Sequence, residues 1–344
     1  MNQVGIDSTA FRAALLEWYG REGRKLPWRA TADPYAILVS EFMLQQTQVV
    51  TAIPYYHRWL DRFPTVRALA AASSQEMLTV WQGLGLYRRA QNLQRCAQAV
   101  VEAHGGEFPR SVEALRALPG VGRYTAGAVA SFAFNLPAPV VDGNVARVLS
   151  RVLNLTEPID SPAGSVILWD VAERLAGCDQ PRLVNNALME LGALVCKPRK
   201  PACVLCPVRS ACRAVDPESL PRKRPRPVIE ERVERYWWVY DGQRVLLQQR
   251  PPAKRWAGLW TLPVVQHGEL PAEPFVSLRH HVTRYSINLQ VLRGPAAGVP
   301  DPSPLLWQPL AELAAVPIPT PHRRAIALAL KAEGGQSAPP MIFP

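Results

Sequence analysis

The stretch LPGVGRYTAGAVASFAFNLPAPVVDGNVARVLSR, residues 118–151, decides the fold of this chain. Two early glycines, Gly120 and Gly122, permit a tight turn between helices, because glycine adopts backbone conformations that other residues avoid. Such a turn exposes backbone N–H groups beside the positive end of the helix predicted to begin near Arg123. The hairpin is therefore predicted to bind an anion, although an ordinary loop could carry the same glycines.

About twenty residues further along, Asp142 follows two valines and precedes a helical pattern. Apolar residues in that pattern fall on one side of the helix, which places Asp142 at or just before the helix N-terminus. Capping the helix is the commoner role of such an Asp. The residues alone therefore leave capping and chemistry both open for Asp142.

Length and charge indicate two domains and a polyanionic partner. A chain of 344 residues can bury two cores, and its net charge of +11 favours a partner such as nucleic acid. The most apolar stretch, 126–141, is interrupted by polar residues and prolines, so no membrane span is expected. Charges interrupt the apolar N-terminal positions, unlike in a signal peptide. We expect a cytoplasmic monomer with no membrane partner.

A helix that Pro34 begins carries Glu41 and Gln45 four residues apart on one face. Most of the surrounding residues are apolar. If the Glu41 carboxyl is buried, its pKa rises and the group can hold a proton for general-acid catalysis. An exposed Glu on a polar stripe would give the same pattern.

Four of the six cysteines follow the pattern C-x6-C-x2-C-x5-C, at Cys196, Cys203, Cys206 and Cys212. Disulfides are not expected in a chain without secretory features. Four close thiolates suit zinc or an iron–sulfur cluster equally, so the spacing alone leaves the metal open.

The sequence changes character after the last of these cysteines. Residues 214–231 are rich in proline and basic side chains, which predicts an extended linker. Short alternating stretches at 233–240, 244–250 and 286–292 then predict the strands of a small mixed domain. The expected organisation is a helical core at 1–213, the linker, a second domain at 232–335 and a flexible tail at 336–344.

Several of these segments resemble known families. SEFMLQQTQV, residues 40–49, resembles the motif of MutY-type adenine DNA glycosylases, and the hairpin followed by Asp142 resembles the helix-hairpin-helix family that includes endonuclease III. The segments RPPAKRWAGLWTLP and PTPHRRAIALAL resemble the Nudix-related C-terminal domain of the adenine glycosylases. The implied fold is multidomain: an all-α helix-hairpin-helix core of two subdomains with a [4Fe-4S] cluster loop at 196–212, and a C-terminal α+β Nudix-like domain. The Glu-rich helix of Nudix hydrolases is missing from the sequence, so pyrophosphatase activity is not expected.

The resemblance implies a monofunctional adenine DNA glycosylase of base excision repair that acts on the nucleoid. Its partner would be double-stranded DNA with adenine opposite 8-oxoguanine or guanine, and it would flip the adenine out of the duplex. Glu41 would protonate the adenine and ionised Asp142 would stabilise the cationic sugar, while Tyr124 and Asn144 orient both. Residues predicted to contact DNA are Arg29, Leu44, Gln46, Leu86, Gly120, Gly122, Glu190, Thr283 and Arg284.

Four positions depart from the patterns of related families. Tyr124 stands where strand-cutting relatives have a nucleophilic Lys, so no Schiff base is expected. Leu86 replaces the tyrosine that usually wedges beside the damaged guanine. Thr283 and Arg284 stand where the lesion-recognition loop commonly has Ser and His, so the threonine hydroxyl could keep one contact while the histidine contact is lost.

Two other interpretations compete with this one. A mismatch thymine glycosylase can share Tyr124, Asp142 and the cluster, but it does not use an acid at Glu41 in the same way. A catalytically silent iron–sulfur DNA-binding protein would need neither carboxylate. The presence of Glu41 and Asp142 favours the adenine glycosylase.

Overall fold

The structure is a computed structural model that describes residues 6–225, 228–252, 254–265, 273–294 and 303–334. Its helices are α1 (Ser8–Glu22), α2 (Pro34–Leu44), α3 (Val49–Arg62), α4 (Val66–Ala71), α5 (Ser74–Trp81), α6 (Arg88–His104), α7 (Val112–Arg116), α8 (Arg123–Phe134), α9 (Gly143–Leu153), α10 (Pro162–Ala176), α11 (Pro181–Leu194) and α12 (Thr320–Ala332). Its strands are β1 (Glu230–Trp238), β2 (Arg244–Gln249), β3 (Trp260–Thr261), β4 (Val276–Val282), β5 (Tyr285–Arg293) and β6 (Leu305–Pro309). Among the described residues, no helix combines the length and apolar character needed to cross a membrane.

The chain divides into two compact units, each built from separate segments. The first unit is Met1–Gln46, Thr65–Arg67 and Arg95–Pro225, and the second is Thr47–Pro64, Ala68–Gln94 and Arg226–Pro344. This division is interleaved along the sequence, whereas the predicted domains follow one another. The domain boundaries drawn from the sequence stay a prediction.

Four helices, α1, α9, α10 and α11, form the main core of the first unit. Their apolar residues recur every three or four positions, so they lie on one side of each helix and can be buried together. The buried cluster includes Phe11, Leu15, Val145, Leu149, Leu168 and Leu188. Helix α11 contacts α1, α8 and α9, and α2 contacts α8. These contacts bring the N-terminal ends of α8 and α9 near the middle of α2.

The predicted hairpin is present between α7 and α8. Ser111 caps α7 by accepting a hydrogen bond from the Ala114 N–H, and Gly120 has φ of +75°, which favours glycine in the turn. Helix α8 follows Gly122, and no side chain caps its N-terminus. The first N–H groups of α8 are therefore left for solvent or a ligand.

The second unit contains two three-stranded sheets. In the first, β5 lies between β1, which runs parallel to it, and β4, which runs antiparallel. The second is antiparallel in the order β3-β2-β6, and α12 packs on β4 and β5. Three strands match the predicted stretches. The sequence missed the other three strands: β4 because His280 occupies a buried position in its alternation, β3 because it has only two residues, and β6 because Leu305, Leu306 and Trp307 are consecutive apolar residues that break the alternation.

Part of the predicted linker packs on the first unit. Leu220 is buried and its carbonyl accepts a hydrogen bond of 3.1 Å from Arg151 Nε, while the Arg222 carbonyl accepts one of 2.9 Å from the Ile159 N–H. Leu220 and Arg222 therefore attach this part of the segment to the first unit, and the bounds of the linker stay a prediction. The predicted tail, 336–344, lies outside the described residues.

Candidate active site

Glu41 lies in the middle of α2 with only 3% of its surface exposed. Every α2 residue from Tyr35 to Met43 is buried, so the carboxyl has little access to water. Burial raises its pKa to about 7, the nearby Asp142 charge adds to this effect, and a hydrogen bond from Tyr124 opposes it. Among the described residues, Glu41 Oε2 has no hydrogen-bond partner. A buried carboxyl is thus poised to be protonated near neutral pH, with one oxygen unengaged.

Tyr124 lies in the first turn of α8 and donates its phenolic hydrogen bond to the Glu41 carboxylate. Burial and the two neighbouring carboxylates raise the pKa of Tyr124 well above its usual value, so the phenol stays neutral. The contact between α2 and α8 fixes this pair. The tyrosine can donate a proton in a hydrogen bond and cannot serve as an amine nucleophile.

Asp142 is the N-cap of α9, as the sequence predicted. Its Oδ1 accepts a hydrogen bond of 2.7 Å from the Val145 N–H, and its Oδ2 accepts one of 2.8 Å from Asn144 Nδ2. Burial raises the pKa of the carboxyl, while these hydrogen bonds and the Arg147 charge oppose the rise. Both oxygens are therefore held in place. Asp142 caps α9, and the same hydrogen bonds fix the orientation of its carboxylate.

Arg147 fixes the amide that holds Asp142. Its Nη2 donates to Asn144 Oδ1 and to the Gly192 carbonyl, both at 2.8 Å, and its Nε donates to the Cys196 carbonyl at 2.7 Å. Helix α11 approaches this point closely, since a Cβ on Gly192 would lie 2.6 Å from Asn144 Cβ. Arg147 was not predicted from the sequence, because it lies on the side of α9 opposite the apolar positions Val145, Val148, Leu149 and Val152, where the pattern indicates an exposed residue.

Glu190 is fully buried in α11 and is bound by two arginines. Oε1 accepts a hydrogen bond of 2.7 Å from Arg24 Nε, and Oε2 accepts one of 2.8 Å from Arg29 Nη2. Burial alone would raise the pKa of this carboxyl, but the hydrogen bonds from both arginines lower it to about 2. Arg29 also bonds to Asn186 Oδ1 at 3.1 Å and lowers the pKa of Glu41 by its charge. DNA contacts by Arg29 and Glu190 stay a prediction; what the structure contains is a buried ion pair beside Glu41.

The remaining predicted DNA contacts are mostly exposed. In the first unit, Leu44 is partly buried, whereas Gln46, with φ of +57°, and both hairpin glycines are exposed. In the second unit, Leu86 is 42% exposed, Thr283 is exposed, and Arg284 Nε lies 3.1 Å from Glu230 Oε1. Contacts with DNA require exposure, which all of these residues have except Leu44, and the contacts themselves stay a prediction.

The four cysteines of the 196–212 loop lie close enough to influence one another. Burial raises the pKa of the Cys206 thiol to about 11, and charges on the other three thiols add to the rise. Arg151 Nη1 lies 3.3 Å from Cys196 Sγ. Within the described residues, no group of three or more His, Cys, Asp or Glu side chains is arranged to hold a metal ion. Thiols gathered in one loop beside a buried guanidinium fit an iron–sulfur cluster by their chemistry.

Comparisons with known families match both parts of the chain. The family model described as HhH-GPD superfamily base excision DNA repair protein matches residues 39–191, and the NUDIX domain model matches residues 235–328. The adenine DNA glycosylase of Rattus norvegicus is 51% identical over 217 residues, which cover 60% of this chain and 42% of the relative. The human enzyme is 51% identical over 215 residues, covering 60% and 39%. The matched region thus spans less than half of these mammalian relatives.

A bacterial relative is matched over more of its length. The adenine DNA glycosylase of Buchnera aphidicola subsp. Baizongia pistaciae is 35% identical over 265 residues, covering 75% of this chain and 74% of the relative. A solved thermostable thymine-DNA glycosylase is 31% identical with a TM-score of 0.55, covering 60% of this chain and 95% of that one. Endonuclease III from a non-covalent DNA complex is 25% identical with a TM-score of 0.51, covering 61% and 96%.

Proposed function

Since the chain belongs to the adenine DNA glycosylase family of the HhH-GPD superfamily, we propose that it hydrolyses the N-glycosidic bond of adenine paired with 8-oxoguanine or guanine in double-stranded DNA. The observation that carries this proposal is Glu41, a buried carboxyl with a pKa of about 7 and one oxygen without a protein partner. A general acid needs a pKa near the working pH. Glu41 meets that requirement.

The first step is extraction of the adenine from the duplex. Backbone N–H groups at the uncapped start of α8, next to Gly120 and Gly122, bind a phosphate of the strand. Gln46 and Leu86 fill the space that the adenine leaves, because exposed side chains of this kind can part stacked bases. Base flipping makes the N-glycosidic bond accessible to the carboxyl groups.

Glu41 then delivers its proton to N7 of the adenine, so the base leaves as a neutral molecule when the C1′–N9 bond breaks. The sugar is left with an oxocarbenium-like positive charge. Asp142, held at both oxygens by Val145 and Asn144, stabilises that charge. Water adds to C1′, and the proton that it loses returns the acid to its starting state. Tyr124 orients Glu41 throughout and forms no bond to the sugar.

The [4Fe-4S] cluster is part of the proposal through Cys196, Cys203, Cys206 and Cys212, which would hold it. When bound, the cluster would supply a rigid cross-link within the 196–212 loop. Arg151 prepares this loop, because its guanidinium donates to the carbonyls of Lys197 and Pro198 at 2.7 Å and 3.1 Å. Lys197, Arg199, Lys200 and Arg209 give the loop positive charge that favours DNA phosphates.

A second candidate is a mismatch thymine glycosylase. The 31% identity to a solved thymine-DNA glycosylase supports it. The buried Glu41 favours adenine, because N7 of a purine accepts a proton that thymine has no equivalent atom to take. A silent iron–sulfur DNA-binding protein is the third candidate, and it would have no need of the Glu41–Tyr124 pair.

Single-turnover base release distinguishes the candidates. The cluster-loaded protein is mixed with duplexes that hold adenine opposite 8-oxoguanine, guanine or thymine, and with a T:G duplex. Release of adenine alone, fastest opposite 8-oxoguanine, is expected. Thymine release from the T:G duplex would establish the second candidate, and no release from any duplex that the protein binds would establish the third.

A further inference from the structure

Leu86 ends a short loop of the second unit, residues 83–86, which we call the wedge loop. Leu86 has φ of +45°, a conformation that is costly for a leucine, and it persists only where neighbouring groups hold it. Those groups are present: Trp81 Nε1 donates to the Gly85 carbonyl and Arg89 Nη2 donates to the Leu84 carbonyl, both at 3.0 Å. The wedge loop is thus rigidly attached to the ends of α5 and α6.

Two glutamines flank the wedge loop, one on each side, and both bond to backbone atoms of the C-terminal segment of the same unit. Gln82 Oε1 accepts a hydrogen bond of 3.2 Å from the Ile318 N–H. Gln91 Nε2 donates one of 2.9 Å to the Ala257 carbonyl. The two bonds hold the loop from both of its ends.

The partners of these glutamines are themselves fixed. Ile318 is buried, and its carbonyl accepts a hydrogen bond of 3.3 Å from Arg323 Nε. Beside Ala257, the Gly258 carbonyl accepts one of 3.1 Å from Gln249 Nε2. The turn at Gly258 also lies close to α5, since a Cβ on Gly258 would lie 3.4 Å from Leu78 Cδ1.

These partners lie in, or directly beside, the two Nudix-like segments that the proposed function leaves without a role. Ala257 belongs to RPPAKRWAGLWTLP, residues 250–263, and Ile318 precedes PTPHRRAIALAL, residues 319–330. The same unit carries the β4–β5 turn with Thr283 and Arg284. The wedge and the predicted lesion-recognition turn therefore belong to one compact body, although about two hundred residues separate them in sequence.

We propose that Gln82 and Gln91 are positioning residues through which the β4–β5 turn, when it contacts the base opposite adenine, sets the position of Leu86 in the duplex. This inference rests on the proposed function. Binding of the turn to the lesion would place Leu86 at the same base pair without a separate loop movement. Because each neutral hydrogen bond contributes about 1 kcal/mol, loss of each is expected to change the selectivity between lesions about two- to tenfold.

The test uses the full-length protein with Gln82→Leu, Gln91→Leu and both substitutions together. The ratio of single-turnover adenine release opposite 8-oxoguanine to release opposite guanine is expected to fall in each variant, and furthest in the double variant. Amide hydrogen exchange of residues 83–86 is expected to rise at the same time. A Gln94→Leu variant is the matched control, because Gln94 Nε2 donates to the Ala72 carbonyl at 2.7 Å within the helical segment.

An unchanged ratio, or a ratio that falls as much in Gln94→Leu, overturns the proposal. So does an equal loss of both release rates, since general destabilisation would produce it. Failure of the proposed function looks different: the unsubstituted protein then releases no adenine from any duplex. In that case amide hydrogen exchange still tests whether Gln82 and Gln91 hold the wedge loop. Unchanged exchange at residues 83–86 in the variants would overturn that attachment.

Discussion

The phenol of Tyr124 donates a hydrogen bond to the carboxylate of Glu41, which joins the first turn of α8 to the middle of α2. The bond stabilises the charged form of the carboxyl, whereas burial favours the neutral form. The pKa of about 7 results from these opposing effects. One hydroxyl group therefore tunes the strength of the proposed acid.

Tyr124→Phe removes this hydrogen bond, so the pKa of Glu41 is expected to rise above about 7. Because the protonated form is the active acid, the decline of adenine release at high pH should move to higher pH. A single-turnover pH–rate profile measures the shift. Tyr240→Phe is the control, since the Tyr240 hydroxyl bonds only to the Gly242 carbonyl among the interactions described for it. Superimposable profiles for Tyr124→Phe and the unsubstituted protein would contradict the assignment.

Glu41→Gln is expected to reduce adenine release by roughly 10²-fold or more, because a positioned general acid contributes about that much. DNA affinity, measured by fluorescence anisotropy, should stay within about twofold, since the substitution changes no proposed phosphate contact. Glu17→Gln serves as a control for charge removal, as its side chain is 73% exposed on α1. Rapid release by Glu41→Gln would remove Glu41 from the mechanism.

The same carboxyl makes stability depend on pH. Its pKa rises from 4.5 in the unfolded chain to about 7 in the fold, so the folded state binds the proton more tightly. This stabilisation is complete below pH 4.5 and is lost as the pH rises through 7, by roughly 3 kcal/mol in all. Glu41→Gln stays neutral and should therefore gain stability relative to the unsubstituted protein between pH 5 and pH 8. Urea denaturation of both proteins at pH 5 and pH 8 checks this. A difference in their free energies of unfolding that is the same at both pH values would contradict it.

Arg29→Met is expected to cost about 3 kcal/mol at pH 7, because it leaves the buried Glu190 with only Arg24 as an ionic partner. The depressed pKa of about 2 means that this pairing stabilises the fold above pH 4.5 and is lost as the pH falls toward 2. The penalty should therefore shrink in acid. Arg21→Met breaks an exposed pair on α1 and should cost less than about 1 kcal/mol. Equal costs for the two variants would show that Glu190 does not depend on Arg29.

Gly192→Ala is expected to lower both stability and adenine release. The added Cβ would lie 2.6 Å from Asn144 Cβ and 3.0 Å from the Asn144 carbonyl, so α11 and the start of α9 must separate. Overpacking of this kind costs about 1–3 kcal/mol. Gly20→Ala in α1 meets nothing within 4 Å and should stabilise the protein by roughly 0.5–1 kcal/mol. Thermal denaturation and base release of both variants test this close approach between Gly192 and Asn144. A Gly192→Ala variant that is as stable and as active as the unsubstituted protein would contradict it.

The sequence predicted the elements of the site better than their surroundings. The pattern around Asp142 located the start of α9, whereas the apolar neighbours of Glu41 left both a buried and an exposed carboxyl open. The positions of Leu86 and Thr283 could be picked out of the sequence by their resemblance to family motifs. Their common unit could not be, because packing between residues far apart in sequence leaves no local pattern. The ion pair of Glu190 was not predicted for the same reason, because Arg24 and Glu190 lie 166 residues apart in sequence.

The interleaved second unit also sets an order of events during synthesis. Residues 47–64 and 68–94 leave the ribosome long before the described residues of 228–252, 254–265, 273–294 and 303–334, which complete their unit. At a translation rate of about 5–20 residues per second, the intervening stretch of roughly 130 residues takes on the order of ten seconds. Throughout that interval the side chains of Gln82 and Gln91 lack their partners, the Ile318 N–H and the Ala257 carbonyl. The wedge loop can therefore reach its final hydrogen-bonded state only after translation has passed Ile318.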